Sequence, residues 1–334
     1  MRSTCSLYID TGYLLASAAT RVTGTSLRSG IYVDYAMLIR SLVDAAEAWS
    51  NLPVLRVHWY DSARNGVPDA QQERIGELPK VKLRLGRFGV NGEQKGVDLR
   101  IGLDLVAHAR NGASDVFFLV SGDDDLTEAV EEAQVHGVQV VLLAVPAVSG
   151  KSHGVARHLI RAADELDNID GAAVDAAVMN RKPEAEPAAS EPVAPKPTAV
   201  TTRPLPTPAT ARSAVRTPLD VAGCAQGPAP RPPSSVLAYS SSSGLPSRVL
   251  TGYGDDERTD EEQIDEVVKR VLASFRKSAT AADKLALRSA RPQIPREIDV
   301  ALLLDASDAL QQYDLDEGTR YRLRSRFWEI YDEN

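Results

Sequence analysis

Val116-Phe117-Phe118-Leu119-Val120-Ser121-Gly122-Asp123-Asp124-Asp125 is the stretch on which the fold turns. Five apolar residues without polar alternation describe a strand buried on both faces, as in a parallel sheet covered by helices on either side. Ser-Gly-Asp then stops the strand. The acids that follow suit a helix N-terminus, where unpaired amides and the helix dipole stabilise negative charge. Working outward, Val97, Ile101, Leu105 and Ala109 stand four apart and predict the preceding helix. Downstream, a helix to about His136 ends at Gly137, Val138–Val145 forms another buried strand, and Val155–Leu166 a last helix. Toward the N-terminus, Val81–Phe88 and Pro53–Tyr60 read as strands and residues 33–49 as an amphipathic helix. Cys5–Ile9 forms the first strand, ending in Asp10, with Thr11-Gly12 as a turn. Strands alternating with helices over residues 1–170 predict an α/β domain with a mainly parallel sheet.

A compositional break follows. Residues 181–255 are dominated by Pro, Ala, Ser and Thr, a composition that buries too little apolar area to offset chain entropy, and they read as a long disordered linker. Residues 258–334 read as a small all-helical domain. Ile264, Val267, Val268, Val271 and Leu272 form one stripe, with Thr259 and Glu262 placed as a capping box. Ile298–Leu310 and Gly318–Tyr331 give two more helices.

Composition narrows the function. A formal charge of −8 argues against a strongly basic nucleic-acid surface, although divalent cations would reverse the local potential at an acidic site. Two cysteines, Cys5 and Cys224, exclude a disulfide framework, and Cys5 in an apolar run reads as a buried thiol. No secretory signal and no membrane-length apolar run is evident, so the expected location is cytoplasmic, away from membranes. Ser149-Gly150-Lys151-Ser152 resembles the end of a phosphate loop, but Val145 stands where that loop needs its first glycine. No dinucleotide fingerprint follows the first strand.

The acids carry the chemistry. In an open parallel sheet, ligands bind beyond the carboxyl ends of the strands. Asp10 ends the first strand, Asp123 follows the apolar one, Asp125 lies two residues on, and Asp98 opens the intervening helix. If the two strands are neighbours, these carboxylates meet at one edge, where they repel unless a divalent cation neutralises them. Oxygen-only ligation suits Mg²⁺ or Mn²⁺. Asp104, 600° around the helix from Asp98, is a lesser candidate ligand. Taken singly, each acid is also an ordinary cap or turn residue; their joint placement on one edge raises the site reading.

Three segments carry a family likeness: Leu7–Tyr13, Lys95-Gly96-Val97-Asp98 followed by Asp104, and Leu119–Leu126. In them the first 165 or so residues resemble the NYN domain family, LabA-like proteins of the PIN-like nuclease superfamily. The resemblance implies a PIN-like three-layer α/β/α fold and metal-dependent cleavage of RNA. By motif, the family's acids fall on Asp10, Asp98, Asp123 and Asp125, and Asp104 matches another commonly acidic position. Many members carry Asn three residues after the first acid, where this chain has Tyr13. Lys95, Arg100, Ser121 and Arg64 are candidate substrate contacts, with Arg56, His58, Arg84 and Arg87 as further candidates beside a groove. The expectation is a Mg²⁺- or Mn²⁺-dependent endoribonuclease. The alternative is a non-catalytic protein using the same pocket to bind RNA or a nucleotide, and a regulatory scaffold ranks third. The C-terminal helices loosely resemble RNA-binding modules of such nucleases; a protein-interaction module suits them equally, and a dimer-forming one somewhat less.

Overall fold

A computed structural model of the chain describes residues 3–88, 94–181, 259–312 and 315–333, except for the side chains of Arg64, Arg87, Phe88, Gln94 and Lys95. The expected linker lies outside the described residues.

The chain opens with β1 (Cys5–Asp10), which passes without a break into α1 (Thr11–Thr23). Thr11-Gly12 is therefore the start of a helix, not a turn. The Asp10 carboxylate accepts from the Gly12 N–H at 2.8 Å, so the last residue of the strand is also the helix cap. Next come β2 (Ile31–Val33), α2 (Tyr35–Ser50), β3 (Val54–Ala63), α3 (Ala70–Gly76), β4 (Val81–Phe88), β5 (Gln94–Lys95) and α4 (Val97–Arg110). The apolar run is β6 (Val116–Val120), followed by a 3-10 turn at Asp124–Leu126 and α5 (Thr127–Val135). After β7 (Gln139–Ala144), the expected last helix is cut short. It is α6 (Arg157–Ala162) followed by a polar edge strand, β8 (Glu165–Asn168). Then α7 (Gly171–Ala177) leads into β9 (Val178–Asn180), which pairs antiparallel with β2.

The main sheet has the order β5-β4-β3-β1-β6-β7-β8, with six parallel strands and the two-residue β5 antiparallel at its edge. Alternate residues feed two cores. Leu7, Ile9, Val57, Trp59, Phe118 and Val120 pack on one side against Leu14 and Ala18 of α1, Leu38 and Leu42 of α2, and Val174 of α7. Tyr8, Tyr60, Phe117 and Leu119 pack on the other against Ile101 and Leu105 of α4, Val130 of α5 and Leu159 of α6. The result is the expected three layers. From β1 the chain builds outward through β3 and β4, then crosses back to β6 on the other side of β1. The β1–β6 seam is thus the topological switch point, where a crevice opens.

The C-terminal part forms α8 (Asp260–Ser278), α9 (Ala281–Ala290), α10 (Arg296–Ala309) and α11 (Glu317–Glu333). Thr259 and Glu262 make the predicted capping box, and the predicted stripe of α8 is buried with Leu287, Leu302, Leu323 and Phe327. The α/β part contributes Leu27, fully buried in that same core. Beside it, the Ser26 N–H donates to Asp305 Oδ1 at 3.0 Å. Arg326 grips Asp265 with Nε and Nη2 (2.5 and 2.8 Å), and Arg324 grips Asp299 (2.8 Å twice), which ties α11 to α8 and α10. No described helix is long and apolar enough to cross a membrane.

Candidate active site

The seam between β1 and β6 sets the positions of the first and third acids. Ile9 pairs with Val120, so Asp10 and Ser121 leave the sheet side by side. Ser121 is buried and links the two strand ends. Its hydroxyl donates to Asp10 Oδ2 at 3.3 Å and accepts from the Asp123 N–H at 3.3 Å. Asp123 in turn accepts from the Asp125 N–H at 3.1 Å, closing the turn into α5. Ser121, expected as a substrate contact, here joins one acid to the turn that bears two others.

Asp98 arrives from α4. The helix begins at Gly96, whose left-handed backbone (φ 80°) turns the chain sharply out of β5 and sets Asp98 in the first turn. The electrostatics tie the acids together. Burial pushes Asp10 up to about 6, and the charges of Asp98 and Asp123 add to the rise against the backbone N–H groups of Gly12 and Tyr13. Asp98 is raised too, first by burial and then by Asp123 and Asp125. As the side chains stand, no three His, Cys, Asp or Glu among the described residues lie close enough together to hold a metal ion. The donor set, oxygen-only and mutually repelling, still fits a hard divalent cation in charge and chemistry.

Asp104 points elsewhere. It is buried, takes both Nε and Nη2 of Arg84 (2.8 and 2.5 Å), and accepts from the Tyr60 hydroxyl at 2.9 Å. These donors outweigh burial and hold its carboxyl below the usual range. Nearby, the Tyr8 hydroxyl meets His108 Nδ1 at 3.0 Å, and His58 stacks on Tyr8 with ring centroids 4.9 Å apart. His58 is buried and pushed down to about 4 by that burial and by His108. His58 and Arg84 thus belong to a polar cluster beside α4, His58 buried and Arg84 partly exposed.

Among the other candidates, Arg100 is exposed on α4. Lys95 lies in β5 and Arg64 in the turn after β3, but their side chains are outside the described ones. His158 of α6 meets Asp124 at 3.3 Å. Sequence reasoning marked Tyr13 only as a departure from the family's usual Asn and missed Gly154; the two close over the acid turn. Nothing at the level of motif or spacing links two residues so far apart in the chain.

A layered, mainly parallel sheet with carboxylates at its switch point is the architecture of a PIN-like domain. The NYN domain family model matches residues 6–170, and this part of the chain belongs to the NYN family. A protein of Sinorhizobium fredii, described as "Uncharacterized protein y4oD", is 37% identical over 100 residues, covering 30% of this chain and 47% of that protein. The match thus spans about half the length of that curated relative. No solved structure matches the chain significantly.

Proposed function

We propose that the NYN domain is a metal-dependent endoribonuclease whose Asp10, Asp98, Asp123 and Asp125 hold Mg²⁺ or Mn²⁺. The observation that carries this reading is the raised Asp10, a half-buried acid acted on by two other carboxylates at the sheet's switch point. Such an arrangement costs stability and gains a use only when a cation neutralises it. When bound, the ion supplies Lewis acidity and charge neutralisation to a phosphodiester. The chain's own residues do the rest. Ser121 keeps Asp10 in register with the Asp123 turn, and the α4 N-terminus presents Asp98 from the opposite side. Arg100, exposed two residues further along the same helix, gives a cation for a neighbouring backbone phosphate, with Lys95 and Arg64 in the same role. RNA as substrate also suits a cytoplasmic location, and the C-terminal helices suit a protein partner or self-association.

The test is cleavage of labelled single-stranded RNA by the full chain in Mn²⁺, Mg²⁺ or EDTA. Cleavage is expected only with metal, and Asp123→Asn should reduce it by about a hundredfold or more, as loss of an electrostatic catalytic group does. Cleavage untouched by that substitution refutes the assignment. One observation favours a second reading, a non-catalytic RNA or nucleotide binder: among the described residues no three His, Cys, Asp or Glu side chains are gathered tightly enough to share an ion. RNA retained without cleavage in any metal would select it.

A further inference from the structure

The connection of residues 145–156, between β7 and α6, lies against the acid turn, and one side chain fastens it there. Tyr13, in the first turn of α1, donates its hydroxyl to the His153 carbonyl at 2.8 Å and accepts from the Val145 N–H at 3.3 Å. Its ring passes so close to Gly122 that a Cβ added there would meet Tyr13 Cε2 at 2.9 Å and the Gly154 carbonyl oxygen at 1.8 Å. Gly154 has φ +65°, and the Ala156 N–H donates to the Gly122 carbonyl at 3.0 Å. Two backbones approach this closely only where side chains are missing. Burial pushes the Tyr13 phenol up to about 12, so its O–H remains a donor at neutral pH. At its other end, the backbone N–H of Tyr13 acts against the rise of the Asp10 carboxyl.

One residue therefore acts on the first acid through its amide, touches the acid turn with its ring, and holds the 145–156 connection through its hydroxyl. Resting on the nuclease reading above, we propose that Tyr13 is a positioning residue for the acid cluster. It clamps the connection onto the Ser121–Asp125 turn and so holds Asp123 and Asp125 in register with Asp10.

Tyr13→Phe in the full chain tests this, because it keeps the ring over Gly122 and removes both hydroxyl hydrogen bonds. Amide exchange should quicken about fivefold or more, the equivalent of at least one of the two net hydrogen bonds, in residues 145–156 and in residues 121–125 together. Mn²⁺ affinity by calorimetry should weaken by a similar factor, and kcat on RNA should fall with KM little changed. Tyr13→Leu, which also loses the ring contact, should exceed Tyr13→Phe in each readout. Faster exchange confined to residues 145–156, with residues 121–125 and Mn²⁺ affinity as in the parent, would overturn the proposal. A parent protein that neither binds Mn²⁺ nor cleaves RNA defeats the nuclease reading instead. The exchange at residues 121–125 still decides whether Tyr13 holds the turn.

Discussion

Asp10 does three jobs: it ends β1, caps α1 through the Gly12 N–H, and carries the charge on which Asp98 and Asp123 act. A carboxyl raised from 3.8 to about 6 binds its proton more tightly in the folded chain than in the unfolded one. Its contribution to stability therefore falls as pH rises from about 4 to about 6, and the full penalty, about 3 kcal/mol, stands at pH 7. Asp10→Asn keeps a capping oxygen and removes the charge. In EDTA it should stabilise the protein by about that amount at pH 7, with the gain gone near pH 4. Urea denaturation at the two pH values measures it, and an Asn variant weaker than the parent at pH 7 would refute the repulsion. The positions of Asp10 and Asp123 at one edge of the sheet were legible in the sequence because each stands where an apolar strand stops. The partner of Asp104 was not. Arg84 reaches it from a strand twenty residues earlier, and the ion pair depends on how β4 faces α4, which no local pattern encodes.

The elements show the same division. β6 and β7, continuous apolar runs, were plain in the sequence, as was α8 with its stripe and cap. α1 was hidden because the last residue of a strand serves as its cap, leaving no turn between the two periodicities. Its sequence, TGYLLASAATRVT, is small and apolar on most sides, with no polar face to mark it. β8 (ELDN) is an exposed edge strand without the apolar alternation that would separate it from the end of α6. The start of α4 rests on a single backbone conformation. Gly96 has φ 80° and no side-chain cap, so Gly96→Ala should cost about 1 kcal/mol, and Gly96→Asn less, since Asn tolerates the left-handed region. Equilibrium unfolding of the two variants checks the order. Equal stability of the Ala variant and the parent would mean that the turn can be remade without a left-handed residue.

Across the molecule, the C-terminal helices do not close their core alone. Leu27 is wholly buried among Ile264, Leu302 and their neighbours, and Asp305 receives the Ser26 N–H next to it. Leu27→Ala should cost about 3 kcal/mol, and the loss should show as faster proteolysis within residues 259–333. Cleavage there at the parent's rate would mean that those helices hold together without Leu27. The sequence showed the helices of this part but not what seats them, because Leu27 has no periodic context that marks it as a core residue. There is a consequence for how the chain is made. Leu27 emerges from the ribosome on the order of 200 residues ahead of α8, so at ordinary translation rates it waits roughly 10–50 s for its apolar partners. Until then it faces water or a chaperone, and the newborn α/β part carries a greasy spot that these later-made helices cover.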